Sequence, residues 1–341
     1  MDLLEKEGKR ERQAKNVLKF IGMNLLKVVI LMLLVSVVTF TLISLSGINP
    51  VDAYIGADTQ ISPQQYEKIT LHWGLDKSLV ERFANWFANL LRGDFGTSMI
   101  YRQPVIKVIG EKFKASLALM GTAWVLSGML GFVLGIIAGA NKGRWPDKAI
   151  KAFCLVMVSA PTFWIALIMI MVFSIGLGWF PLGLAAPIGK LAQEVTLGER
   201  IHHLVLPALT LSITGVSGIA LHTRQKMADV LETEYVLFAR ARGESGWDII
   251  KRHGIRNIML PAITLQFASL SELFGGSVLA EQVFSYPGLG QAATMAGTRS
   301  DIPLLLGITL FSALFVFTGN FIADIIYGIV SPEIREGSKY E

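Results

Sequence analysis

"EYVLFARARGESGWDIIKRHGIRNIMLP", residues 234–261, decides how the rest of the chain is read. It carries Arg240, Arg242, Lys251, Arg252, Arg256 and His253, yet it lies between two of the most apolar segments of the sequence. Its first part is helix-compatible up to Gly243, a natural helix stop. Ser245 and Asp248 then make an S-x-x-D pattern, which predicts a capping box at the start of a new helix. The stretch therefore predicts a short helix, a break, and a second helix that runs through "IIKRHGIRN" into the next apolar block. Tyr235, Val236, Phe238 and Ala239 give the first helix an apolar contact face, with Arg240 and Arg242 beside it. A loop that only fixes topology needs the charge. It does not need a cap or an aromatic face, whereas a loop that docks another protein uses all three.

The surrounding chain explains why such a segment would sit between apolar neighbours. Of its 341 residues 52% are hydrophobic and 17% are charged, where a soluble domain carries about a quarter charged residues. The apolar residues fall into six blocks, 28–46, 115–140, 152–177, 204–221, 258–280 and 302–330. Each is long enough to cross a bilayer. The reading is an all-α integral membrane protein with six transmembrane helices, placed in the cell membrane. The formal charge is +5, but the basic residues lie in the gaps between blocks, which is membrane-flanking charge and not a nucleic-acid footprint. Cys154 is the single cysteine, which excludes an intramolecular disulfide and a cysteine-based metal cluster.

Orientation follows from the basic residues of the short loops. Lys142, Arg144, Lys148 and Lys151 follow the second block, and the 224–257 loop is basic throughout. The loops after the third and fifth blocks hold only Lys190 and Arg200, and Arg299. Both termini are expected in the cytoplasm. That divides the chain into a cytoplasmic tail 1–27, a first span 28–46, an extracytoplasmic loop 47–114, a transmembrane domain 115–330 containing the loop 224–257, and a cytoplasmic tail 331–341.

In the long loop, Val80, Phe83, Trp86, Phe87, Leu90 and Leu91 recur at helical spacing. They predict an amphipathic helix that lies on the membrane, packs on the bundle or docks an external protein. Gly131, Gly135 and Gly139 form one face of the second span, where another helix can approach closely, within the subunit or across a dimer. Pro161 should kink the third span and is a candidate for shaping a pathway.

Catalytic and energy-coupling motifs are missing. There is no P-loop, zinc-protease motif or nucleophile elbow. His202 and His203 are adjacent and point in different directions along a helix, which suits a structural role. Glu272 lies well inside the fifth span and Asp324 in the last third of the sixth. An intramembrane carboxylate is a candidate functional group, and Glu272 is the candidate pathway residue. The chain is read as a transport subunit and not an enzyme. Uphill transport would draw on another chain or on an ion gradient.

The opening stretch resembles the cytoplasmic "EAA" loop of binding-protein-dependent ABC importer permeases, in particular the peptide/nickel branch. "EYVLFARARG" and "IRNIMLP" match that loop, and "LLRGDFGTSM", "PTFWIALIM", "HLVLPALTL", "EQVFSYPGLGQ" and "SPEIREG" have counterparts in the same order. The resemblance implies the type I ABC importer permease fold. It also implies a pairing with a second, homologous permease. Two ATP-binding subunits, on which ATP is used, would grip the loop, and an external solute-binding protein would deliver peptides, or else nickel or a metal chelate. This chain would bind no cofactor or metal itself. An ion-coupled secondary transporter stays open as a lesser alternative. By the resemblance, Glu234, Tyr235, Ala239, Arg240, Ala241, Gly243, Ser245, Asp248 and Pro261 belong to the ATPase-coupling element. The sequence departs from the family pattern at Leu237, Phe238 and Ala239, which stand where E-A-A would fall, and at Glu272, where a neutral residue is expected.

Overall fold

The computed structural model describes residues 2–45, 49–55, 62–191 and 193–330. Among them every regular element is helical, apart from one bridge between Thr97 and Pro104. The Asp324 side chain and the 331–341 tail lie outside the described parts.

Helix α1 runs without a break over Asp2–Leu45. The polar tail expected before the first span is thus helical too, since this stretch has no proline and only Gly8 and Gly22 to weaken it. Short helices α2 (Pro50–Ile55) and α3 (Pro63–His72) follow, then α4 (Leu79–Leu91). Ser62 and Ser78 start α3 and α4 through reciprocal capping boxes with Gln65 and Glu81. Helix α5 (Val105–Ala140) begins ten residues before the expected span at 115.

The third expected span corrects the sequence reading. A single helix kinked at Pro161 was predicted. The chain instead forms α6 (Trp145–Ser159) and α7 (Thr162–Met169), the latter prolonged by a π-helical stretch over Ile170–Gly176, and the two parts are bent by 108°. Pro161 disfavours the helical conformation at the residue before it. Ala160 accordingly adopts φ −86° and ψ 126°, and the helix ends there.

Helix α8 (Leu197–Leu231) outruns the expected 204–221 at both ends, because Thr196 and Glu199 form a capping box upstream and no breaker intervenes downstream. It absorbs Pro207 in its interior. Then come α9 (Glu234–Ala241), α10 (Gly246–Ile249) with a π-helical turn over Ile250–Gly254, α11 (Ile255–Ala268), α12 (Leu270–Val283), α13 (Leu289–Thr298) and α14 (Ile302–Val330). The fifth expected span is also a bent pair, turning by 49° at Ser269 between α11 and α12. Among the described residues four helices are long and apolar enough to cross a membrane, and the number is six if each bent pair is one span. The protein is an all-α, multi-pass membrane protein.

The chain forms two compact units, Met1–Ile109 with Met295–Phe317, and Gly110–Thr294 with Thr318–Glu341. In the first, Phe83 and Trp86 of α4 pack with Phe40 of α1 against Ile302 and Leu306. The amphipathic helix is therefore seated on other helices along part of its apolar face, while Val80 and Leu91 stay exposed. Asp301, fully buried, accepts from the Ser98 hydroxyl at 2.6 Å, from Ile100 N–H at 3.0 Å and from Leu304 N–H at 3.2 Å, so it caps α14 and pins the turn ahead of α5.

In the second unit α5 lies directly on α8. A Cβ on Gly131 would stand 2.9 Å from the Val216 carbonyl, on Gly135 2.8 Å from that of Ala220, and on Gly139 2.7 Å from that of Arg224. Only glycine permits that approach, and it is an approach within the subunit. Asp147 of α6 is buried and takes a two-pronged pair from Arg224, with the Nη2 bond at 2.8 Å, plus the Gly143 N–H at 2.8 Å. Such charge-assisted bonds are about twice as strong as neutral ones, and these fix the start of α6 on α8.

Candidate functional site

The 234–254 segment folds as a helical hairpin whose inner and outer faces can be separated residue by residue. Val236 and Ala239 of α9 are buried with Ile249, against Val230 and Leu231. Gly243 turns the chain at φ +85°, the left-handed region that glycine tolerates. Ser245 accepts from Asp248 N–H at 3.2 Å and starts α10. The expected capping box is half formed. The Asp248 carboxylate receives the Ser245 hydroxyl at 2.6 Å instead of returning to the Ser245 backbone.

A polar brace holds the hairpin closed. Asn257 donates to the Tyr235 hydroxyl at 3.0 Å, the Tyr235 and His253 rings lie 6.0 Å apart, and His253 Nε2 meets Glu244 at 3.2 Å. Arg242 donates to Glu244 at 2.8 Å and, with help from His253, holds that carboxyl below the usual carboxylate range. Gly254 sits against Met227 of α8, where a Cβ would come within 2.8 Å of its sulfur.

The outward face is apolar. Phe238 is 72% exposed, Trp247 66% and Leu237 55%. Glu234, Arg240, Ala241 and Arg242 are exposed beside them. This revises the contact face drawn from the sequence. Ala239 and Val236 point inward, Tyr235 is tied into the brace, and Gly243 shapes the turn. Pro261 is not in the hairpin at all but in the interior of α11. The sequence reading put Phe238 on the face but missed Leu237 and Trp247. Trp247, a large apolar residue in the first turn of a capped helix, was the available signal.

A second feature lies where α6, α7, α8, α11 and α12 meet. A cavity of about 560 Å³ is lined by Thr162, Thr214, Gly218, His222, Ser269 and Glu272, among others. Glu272 is exposed to it, and Pro161 sets its edge through the break that places Ala160 and Thr162 on the wall. Among the described residues no group of three or more His, Cys, Asp or Glu converges as a metal site. His202 and His203 bond to the Trp179 and Gly183 carbonyls, each at 2.8 Å, and fasten the 177–191 connection to α8.

Sequence reasoning overlooked Glu281. It is fully buried in α12, takes the Ser116 hydroxyl at 2.6 Å on one oxygen, and takes the Gly290 and Gln291 N–H groups at 2.7 and 3.1 Å on the other. The Leu289 N–H in turn donates to the Ser116 oxygen at 2.7 Å. The carboxylate thereby caps the first turn of α13 and folds the "FSYPGLG" segment back on α5. Its position next to a Gly/Pro-rich turn was the only hint in the sequence.

Comparison with known proteins agrees with this architecture. Residues 131–336 match the binding-protein-dependent transport system inner membrane component family, and residues 17–120 match the N-terminal region of such membrane components. The chain is 36% identical over 279 residues to the oligopeptide transport system permease protein AppB of Bacillus subtilis, covering 82% of this chain and 87% of the relative. It is 32% identical over 320 residues to the glutathione transport system permease protein GsiC of Escherichia coli K12, covering 93% and 99%. A putative peptide transport system permease protein of Brucella abortus is 32% identical over 309 residues, covering 89% and 95%. The helical, multi-pass chain with its hairpin between α8 and α11 belongs to the binding-protein-dependent inner-membrane permeases of ABC importers, a family of transport subunits and not of enzymes.

Proposed function

We propose that this chain is one of two permease subunits of an ATP-driven peptide importer. In this reading each bent pair is one span, so six spans build a type I importer fold, with both termini and the 234–254 hairpin in the cytoplasm. A second, homologous permease completes the pathway, two ATPase subunits grip the hairpins, and an external binding protein delivers the solute. ATP is used only on the ATPases, whose closure moves the hairpin and alternates access. The loop 224–257 is the coupling element of a transmembrane domain over 115–330, and the 47–114 region is the extracytoplasmic face.

The observation that carries the coupling role is the exposed Leu237–Phe238–Trp247 surface on a hairpin that is internally braced. Large apolar side chains held outward on a rigid support suit an interface anchor. The peptide assignment rests on the oligopeptide, peptide and glutathione permeases among the relatives. Within the proposed docking element Phe238, Leu237, Trp247, Arg240, Ala241 and Glu234 make contact. Tyr235, Ala239, Gly243, Ser245 and Asp248 keep its shape.

The test is reconstitution of the chain with its partner permease, ATPases and binding protein in proteoliposomes. ATP-dependent accumulation of labelled tripeptides is expected. Accumulation of nickel with no peptide uptake would replace the peptide assignment. Uptake that persists without the ATPases would refute the ATP-driven reading.

A further inference from the structure

The cavity beside Glu272 has a chemical bias. Met157, Ile219, Leu265 and Leu273 make part of its wall apolar. Among its lining residues Glu272 is the one carboxylate, and no Lys or Arg is present. No salt bridge reaches Glu272 among the described residues. The hydroxyls reinforce the bias. Thr214 donates to the Leu211 carbonyl and Ser269 to the Gln266 carbonyl, each at 2.8 Å. Their hydrogens are committed to their own helices, so their oxygens offer only lone pairs to the cavity. A carboxylate is likewise an acceptor without a donor. The Thr162 hydroxyl and the His222 ring also line the cavity and can donate, but with no Lys or Arg among the lining residues the Glu272 carboxylate is the strongest acceptor there.

Its dimensions fit a small solute. About 560 Å³ lies within the usual range of ligand sites. Gly218 keeps one wall open, since a Cβ there would meet nothing within 4 Å. A carboxylate with no ion pair among the described residues, at a partly apolar surface inside a proposed span, is costly, and a positively charged N–H donor is the ligand chemistry that offsets that cost.

We propose that Glu272 makes this cavity a cation-preferring station on the translocation pathway. Its carboxylate accepts charge-assisted hydrogen bonds from the ammonium or guanidinium of a cationic peptide, with Thr214 and Ser269 as further acceptors in the same cavity. The inference rests on the peptide-permease reading.

The experiment uses the complete reconstituted complex and three tripeptides, Ala-Lys-Ala, Ala-Ala-Ala and Ala-Glu-Ala. For each peptide the readout is uptake by a variant divided by uptake by the wild type, so selectivity of the common binding protein cancels. Glu272→Gln is expected to lower the ratio for Ala-Lys-Ala about tenfold more than for Ala-Ala-Ala, and to raise it for Ala-Glu-Ala. Glu272→Asp keeps the charge and should restore the order. Thr214→Val retains the carboxylate and should cost Ala-Lys-Ala roughly threefold more than Ala-Ala-Ala, which serves if the Gln variant does not assemble. Gly218→Leu fills the cavity and should depress all three. Equal ratios for the three peptides in both Glu272→Gln and Thr214→Val would overturn the cation preference, and full uptake by Gly218→Leu would remove the cavity from the pathway. A wild-type complex that takes up none of the peptides would instead overturn the peptide reading beneath it.

Discussion

The hairpin at 234–254 and the elbow at 281–291 belong to the same unit and solve opposite problems. In the elbow a charged group is hidden and every bond is turned inward. Glu281 is fully buried and satisfied by Ser116, Gly290 and Gln291. In the hairpin the polar groups brace the inside edge, and the large apolar side chains Phe238 and Trp247 are turned out. A segment that must keep its own shape puts its strongest interactions inside. A segment proposed to be held by another chain keeps its scaffold modest and presents apolar area. The two can be broken separately, and each break should read out in a different assay.

The largest effect is expected at the hairpin surface. Phe238→Asp removes a central exposed aromatic and leaves the Val236–Ala239–Ile249 cluster intact. Loss of an anchor of this kind costs about 2 kcal/mol or more, roughly 30-fold in affinity. ATPase capture by the detergent-solubilised permease should fall accordingly, transport should be lost, and thermal stability should stay unchanged. Ala239→Asp, next to Phe238 in sequence and part of the contact face drawn from the sequence, should fail differently. It places a carboxylate inside the buried cluster, so the hairpin itself should open, seen as faster hydrogen exchange across α9. Normal ATPase capture by Phe238→Asp would refute the outward-face assignment.

Next is the elbow. Glu281→Ala orphans the Ser116 hydroxyl and two backbone N–H groups at once, at about 1–3 kcal/mol for each buried donor left unmade. The expected readouts are a lowered Tm and loss of exchange protection at Gly290 and Gln291, with ATPase capture retained. A variant that keeps its protection there would show that the Gly/Pro-rich turn holds itself. Of comparable size, Gly135→Val should drive α5 off α8, because its Cβ alone would come within 2.8 Å of a backbone carbonyl. Overpacking of this kind costs about 1–3 kcal/mol, and the yield of folded permease measures it.

What the sequence made visible follows the same division. Periodicity and breakers gave all six apolar blocks, the amphipathic α4, the hairpin with its stop at Gly243 and its start at Ser245, and the glycine face of α5. These are signals carried by neighbouring residues. Four things were not visible. The depth of the break at Pro161 depends on what the freed ends pack against, so a kink and a 108° turn look alike in sequence. Capped extensions such as the start of α8 at Thr196 lie beyond the apolar block that draws the eye. The partners of Glu281, Asp301 and Asp147 come from residues far along the chain, at separations of up to 203 positions. The inner and outer faces of α9 were ambiguous because an eight-residue helix with six apolar positions fits more than one stripe. Only packing against Ile249 and Val230 settles which side is in.

The smallest predicted effect is also the sharpest test of that last point, and it concerns Tyr235. The family resemblance puts Tyr235 on the docking surface, while the geometry makes it part of the brace. Tyr235→Phe separates the two. The hydroxyl accepts one bond from Asn257, and Asn257 retains its other bond to the His253 carbonyl at 2.7 Å, so no buried group is orphaned. A partly exposed neutral bond of this kind is worth about 0.5–1.5 kcal/mol, and the lower end applies because water reaches the site. The ring stays against His253 and the outward surface of Phe238 and Trp247 is untouched. ATPase capture should therefore stay within about twofold of wild type, with a small rise in hydrogen exchange at residues 253–257. Tyr235→Ala, which also removes the ring, should loosen the hairpin further and weaken capture only as far as exchange increases. A large loss of capture in Tyr235→Phe without any change in exchange would place the hydroxyl in direct contact with the ATPase, and would move Tyr235 from the scaffold to the docking surface.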